Sequence, residues 1–146
     1  MGAINLLKSK KCAYGVIFFV FSLHCYSRPL DVERIGVEHG LSQSTIYDIA
    51  QDNSGYIWIA TADGVNIYDG HKIKQLRHNH KNDNSLSDNY AKCLLISNDG
   101  KIWIGTLGGG LNSYDPVSKT ITRYRASGEQ EKVILSDDVY SLYQSQ

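Results

Sequence analysis

From Ile46 onwards the chain alternates short apolar runs with polar punctuation. Ile46–Gln51 reads as a strand and is followed by Asp52-Asn53-Ser54-Gly55, residue types that tolerate left-handed backbone and mark a turn. In 56–61, Ile57 and Ile59 fall on one side and Tyr56, Trp58 and Ala60 on the other, the period of two expected of a strand. Ala62-Asp63-Gly64 is a second turn, 65–68 a third strand, Asp69-Gly70 a hairpin signal, and 72–77 a fourth and most exposed strand. The same pattern returns with strands at 91–96, 101–106, 111–114 and 120–124. Beyond residue 27 no window of about 11 residues sustains a helical period.

The second set of strands is a copy of the first. Gly55-Tyr56-Ile57-Trp58-Ile59-Ala60-Thr61 recurs 45 residues later as Gly100-Lys101-Ile102-Trp103-Ile104-Gly105-Thr106, and Leu41-Ser42 recurs as Leu86-Ser87. Gly64-Val65-Asn66-Ile67-Tyr68-Asp69 matches Gly110-Leu111-Asn112-Ser113-Tyr114-Asp115 at an offset of 46, one residue having been added in a glycine-rich turn. A third copy opens with Leu135-Ser136-Asp137-Asp138-Val139-Tyr140, read as a first strand.

Four strands in about 45 residues is the size of one β-propeller blade. A blade is a small twisted sheet that buries its two faces only by packing against a neighbour on each side. Trp58 and Trp103 are wide, flat side chains suited to that gap. The expected fold is therefore all-β: two four-stranded propeller blades, about 40–84 and 85–134, and the start of a third at 135–146, within a partial propeller over 28–146. A solenoid of stacked strands is the competing architecture, but its repeats are usually shorter. Propellers close with about 4–8 blades, so the expectation is that the chain is a piece of a longer propeller whose remaining blades are its partners.

The first 27 residues have another character. Lys8, Lys10 and Lys11 precede an apolar stretch from Cys12 to Tyr26, the basic-then-apolar order of a secretory signal peptide cut after Ser27. At about 15 residues, with His24 inside it, the stretch is short for a bilayer span of roughly 20. An uncleaved anchor is the alternative. The full chain holds 15 basic and 15 acidic residues, and this balance gives no electrostatic case for nucleic acid. Removing the signal leaves Cys93 as the one cysteine, so no internal disulfide staples the fold, and a buried apolar role is its default.

Taken in order, Gly40-Leu41-Ser42, Ile46, Ile49, Asp52, the Gly55–Thr61 run, Gly64-Val65-Asn66 and Tyr68-Asp69-Gly70 resemble the two-component regulator propeller repeat. The second copy is similar from Leu86 to Asp115, departing where Ser97 stands in place of Asp52 and where Gly108-Gly109-Gly110 lengthens a turn. Trp58, Thr61, Tyr68 and Asp69, with Trp103, Thr106, Tyr114 and Asp115, are the recurring structural positions. The resemblance implies a periplasmic sensor propeller of a bacterial membrane receptor, followed in such proteins by a β-sandwich, a membrane helix and a cytoplasmic output. That output is often a histidine kinase and sometimes a diguanylate cyclase. In relatives that sense polysaccharide breakdown the ligand is an oligosaccharide. Two other readings fit the same residues: a secreted propeller serving as an interaction scaffold, and a carbohydrate-active enzyme whose acid and base lie on other blades.

No motif in the chain points to catalysis. Gly108-Gly109-Gly110 lacks the Lys-Ser/Thr and the helix of a phosphate cradle. Asp52-Asn53-Ser54-Gly55 lacks the later glutamate of a calcium loop. His71, His78 and His80 lie in a polar connection with only Asp83 near them, which reads as an exposed link and not a metal site. The expectation is no metal, no cofactor and no enzyme. Propeller geometry places the loops entering the first strand and those joining the second and third on one rim. Gln43, Ser44, Asp63, Asp88, Asn89 and Leu107 are thus the candidate ligand-binding residues, for an oligosaccharide or another small ligand.

Overall fold

The computed structural model describes residues 32–127 and 133–145. The expected export signal lies outside them. Two four-stranded antiparallel sheets follow one another, each with its strands side by side in chain order. The first comprises β1 (Ile46–Gln51), β2 (Ile57–Thr61), β3 (Gly64–Tyr68) and β4 (Ile73–Leu76). The second comprises β5 (Ala91–Ile96), β6 (Ile102–Thr106), β7 (Leu111–Asp115) and β8 (Thr120–Tyr124). A short 3₁₀ turn, Val37–His39, which the sequence pattern does not announce, precedes β1.

The turns explain the recurring glycines. Gly64 and Gly110 sit at φ +97 and +81, and a Cβ on either would run into the carbonyl oxygen of the outer strand, at Leu76 and Tyr124 respectively. Only glycine meets both demands. The other periodic polar residues form a buried network, one per blade. Asn66 accepts a hydrogen bond from the Ser42 backbone N–H at 2.9 Å and donates to the Ser42 hydroxyl at 2.8 Å. The Thr61 hydroxyl lies 2.9 Å from that of Ser42 and donates to the Gly64 carbonyl at 2.8 Å. Asn112, Ser87, Thr106 and Gly110 repeat these bonds in the second blade, with the two hydroxyls farther apart at 3.5 Å. Asn66, Asn112, Thr61 and Thr106 are wholly buried, so each network pins the segment before the first strand to the middle of its own sheet.

Outer strands are covered by the same segments. Gln75 of β4 donates to the Gly40 carbonyl at 2.8 Å. At the matching place in β8, Arg123 donates to the Ser85 carbonyl and hydroxyl, both at 2.8 Å, while Asn84 binds the backbone of Lys119 and Ile121. These contacts clothe edges that would otherwise present open hydrogen-bonding groups.

The two sheets approach most closely at β1 and β5, as blades do near a propeller axis. Trp58 is the central packing residue, 2% exposed, with its indole N–H donating to Asp52 at 2.8 Å and its ring against Tyr114 of the second blade. Asp48 accepts the Leu94 backbone N–H across the junction at 2.8 Å. Repeat-equivalent positions show which faces are covered: Leu94 is 8% exposed against the first blade, while its counterpart Ile49 is 58% exposed on the far face. The third copy differs from the expected strand. Residues 139–145 adopt no regular structure, although Val139 donates its N–H to Thr106 at 2.9 Å and Asp138 bridges to Leu107.

Candidate functional site

Both first strands carry a bulge at the same repeat position. Register slips between Ile46 and Asp48 in β1 and between Ala91 and Cys93 in β5. The extra residues are Tyr47 and Lys92. A bulge turns its residue away from the ladder, and here the two residues meet: the Lys92 ammonium lies 4.4 Å from the centroid of the Tyr47 ring. Tyr90, just before β5, completes the group. Its ring lies 5.1 Å from that of Tyr47 and the two hydroxyls are hydrogen-bonded at 2.7 Å. The Tyr90 hydroxyl holds the Tyr47 phenol above its ordinary pKa, with burial adding to the effect. All three side chains are half-buried, so they combine a fixed geometry with access to solvent. Two aromatic faces, two hydroxyls and one cation at the closest approach of the blades suit the binding of a polar ring-shaped ligand.

The six rim residues expected from the sequence lie at this same end. The Gly64 N–H donates to the Asn89 carbonyl at 2.6 Å, linking the turn that holds Asp63 to the start of β5, and the Leu107 N–H donates to the Tyr90 carbonyl at 3.0 Å. Most of their polar atoms are engaged within the protein. Asp63 is ion-paired to Arg77 at 2.7 Å, Asp88 accepts the Tyr90 N–H at 2.8 Å, and the Asn89 side chain accepts the His78 N–H at 2.7 Å. Gln43 and Ser44 differ: the Gln43 Oε1 is buried with no hydrogen-bond partner among the described residues, and Ser44 is exposed. Sequence reasoning passed over Tyr47, Tyr90 and Lys92 because a bulge leaves no mark in the alternation. The signal that was available is the mismatch of Tyr47 with Lys92 between otherwise similar repeats.

Several other expectations can be placed. His78 is half-buried and its Nδ1 lies 2.7 Å from the Leu86 carbonyl, so it helps to fix the connection between blades. Among the described residues no group of three or more His, Cys, Asp or Glu is arranged to hold a metal. Cys93 is buried, with its thiol 3.6 Å from the Val139 carbonyl and its pKa raised chiefly by burial. Gly108-Gly109-Gly110 forms a turn whose Gly108 and Gly110 N–H groups bind the Asp137 carbonyl.

Sheets of four antiparallel strands, repeated in series and packed through tryptophan at a common junction, define this chain as β-propeller blades. The two-component regulator propeller family matches residues 40–63 and 85–108, one match in each blade. Over 48 residues the chain is 48% identical to Histidine kinase P4 of Formosa agariphila, a stretch covering 33% of this chain and 4% of that protein. The extracellular domain of a hybrid two-component system from B. thetaiotaomicron has the same fold, with a TM-score of 0.65 and 28% identity over 73% of this chain and 15% of that one. The chain therefore spans only a small part of either relative.

Proposed function

We propose that this chain is the ligand-sensing propeller segment of an exported bacterial receptor of the two-component type. It is non-catalytic itself, and the output chemistry belongs to other parts of such a receptor. The observation that carries the reading is the Tyr47, Tyr90 and Lys92 cluster, with Gln43 and Ser44 beside it, at the channel end of two blades. The likeness to an extracellular domain of a hybrid two-component system supports a periplasmic location. An oligosaccharide meets the chemistry of the cluster, since sugar rings offer C–H faces to aromatic rings and hydroxyls to polar groups. Because Tyr47 belongs to one blade and Tyr90 and Lys92 to the next, a ligand held by all three changes the cost of moving the blades apart. That is a bias a downstream two-state element can read.

The test is a melting-temperature survey of the chain against neutral and acidic oligosaccharides and short peptides. A ligand of the cluster raises the melting temperature of the unaltered chain and leaves that of the Tyr47→Ala/Lys92→Ala variant unchanged. If every ligand shifts both proteins equally, or none shifts either, the sensing role at this cluster fails.

A further inference from the structure

At the opposite end of the blades, a groove of about 600 Å³ runs between the first blade and the β7–β8 hairpin of the second, a volume usual for small-molecule sites. We propose that this groove binds an acidic sugar, one bearing a carboxylate such as a uronic acid. The proposal concerns a surface separate from the channel-side cluster and does not rest on it.

Three features of the groove define the ligand. The first is positive charge. Lys72 and Lys74 from the first blade and Lys119 from the second line it, and none has a carboxylate within ion-pair distance among the described residues. Elsewhere on the same blades, Arg77, Lys101 and Arg123 each have an acidic partner. The second is an aromatic wall. Tyr56 is 43% exposed beside the Trp58–Tyr114 pair, giving a flat surface for the C–H face of a ring.

The third feature is a pair of carboxylates with unequal freedom. Both oxygens of Asp52 are engaged, one by the Ser54 and Tyr56 N–H groups and the other by the Trp58 indole. Asp69 spends only Oδ1, on the His71 and Lys72 N–H groups, so Oδ2 is left to accept a ligand hydroxyl. A doubly charged phosphate gains from the lysines but is repelled by two fixed carboxylates and has no C–H face for Tyr56. A uronic acid carries one charge on each ring, set apart from hydroxyl donors and a C–H face, and so matches every group present.

The site is not a generic property of the repeat. At the matching positions in the second blade, Ser97 stands for Asp52 and Lys101 for Tyr56, and Lys101 is tied to Asp99 at 3.0 Å. The aromatic wall and the unpaired lysines occur together only at the first junction among the described residues.

Isothermal titration of the 146-residue chain with trigalacturonate, maltotriose and inorganic phosphate tests the proposal. Trigalacturonate should bind, and more weakly as salt rises, whereas maltotriose and phosphate should bind at least tenfold more weakly. Lys72→Gln with Lys119→Asn should lower the trigalacturonate affinity at least tenfold; asparagine suits position 119, where φ is +57. Lys101→Gln, which removes a lysine already paired to Asp99 in the second blade, should bind trigalacturonate as the unaltered chain does. Absence of binding, equal binding of maltotriose, tighter binding of phosphate, or undiminished binding by the Lys72/Lys119 variant each overturns the proposal. Circular dichroism melting confirms that the lysine variant is folded, and a charge-keeping Lys72→Arg variant that retains binding separates charge from shape.

Discussion

The indole of Trp58 in β2 lies across the blade junction against the ring of Tyr114 in β7, with centroids 5.3 Å apart and planes inclined by 54°. The pair joins the second strand of one blade to the third strand of the next. Trp103, which occupies the Trp58 position of the second blade, has no such partner among the described residues. It lies half-buried against Tyr124 of its own blade, and Ser97 replaces the carboxylate that receives the Trp58 N–H.

This asymmetry has a measurable consequence. Trp58→Ala should cost about 3–5 kcal/mol, the range for removing a buried aromatic residue, and Trp103→Ala less than about 2 kcal/mol because its side chain is only partly buried. Urea denaturation of the two variants makes the comparison. Equal losses would show that covering of the junction does not decide the packing energy.

The buried asparagines should matter more than their small size suggests. Asn112→Ala leaves the Ser87 N–H without a partner in a dry interior and its hydroxyl with only that of Thr106, at a cost of about 1–3 kcal/mol. In hydrogen exchange, the Ser87 amide should lose protection in this variant while amides of β1 and β2 keep theirs.

Gly105 sits where a Cβ would overlap the Cys93 thiol and the Val139 side chain. Gly105→Ala should destabilise the chain by about 1–3 kcal/mol through overpacking. Adding Cys93→Ala should recover part of that loss, because it removes one of the two obstructing groups. No recovery would place the strain on Val139 alone.

The Cys93 thiol itself should be inert in the native state. Its pKa is raised above the ordinary 9.0, chiefly by burial, so thiolate is scarce at neutral pH. Iodoacetamide at pH 7.5 should label it rapidly in denaturant and slowly without, as read by mass spectrometry. Comparable rates in the two conditions would contradict the burial.

Acid should weaken the fold through three turn carboxylates. Asp99 is held at about 2, first by the Ser97 hydroxyl and then by Lys101, below its ordinary 3.8. Backbone N–H groups lower Asp69 and Asp115. A folded-state pKa below the unfolded one contributes stability that is complete above about pH 4 and is lost as pH falls towards 2. Asp99→Asn should therefore show a shallower decline of melting temperature over that window than the unaltered chain. An identical decline would show that Asp99 adds no acid sensitivity.

Much of this protein was legible from residue order alone. The alternation of Ile57, Trp58 and Ile59 and the punctuation by Gly and Asp located every strand of two blades to within about a residue or two. The recurrence of Trp58 as Trp103 established that the strands form repeated units. Such features are local: period, turn chemistry and copy number are properties of neighbours in sequence. The tertiary structure decided what depends on distant residues meeting. Asn66 and Asn112 recur visibly, but only the fold shows that they anchor Ser42 and Ser87. Trp58 and Trp103 look alike in sequence, yet only packing makes one covered and the other half-exposed. Tyr47 meets Tyr90 and Lys92 because bulges in two separate sheets turn them towards each other, and a one-residue slip in register leaves no trace in composition or pattern.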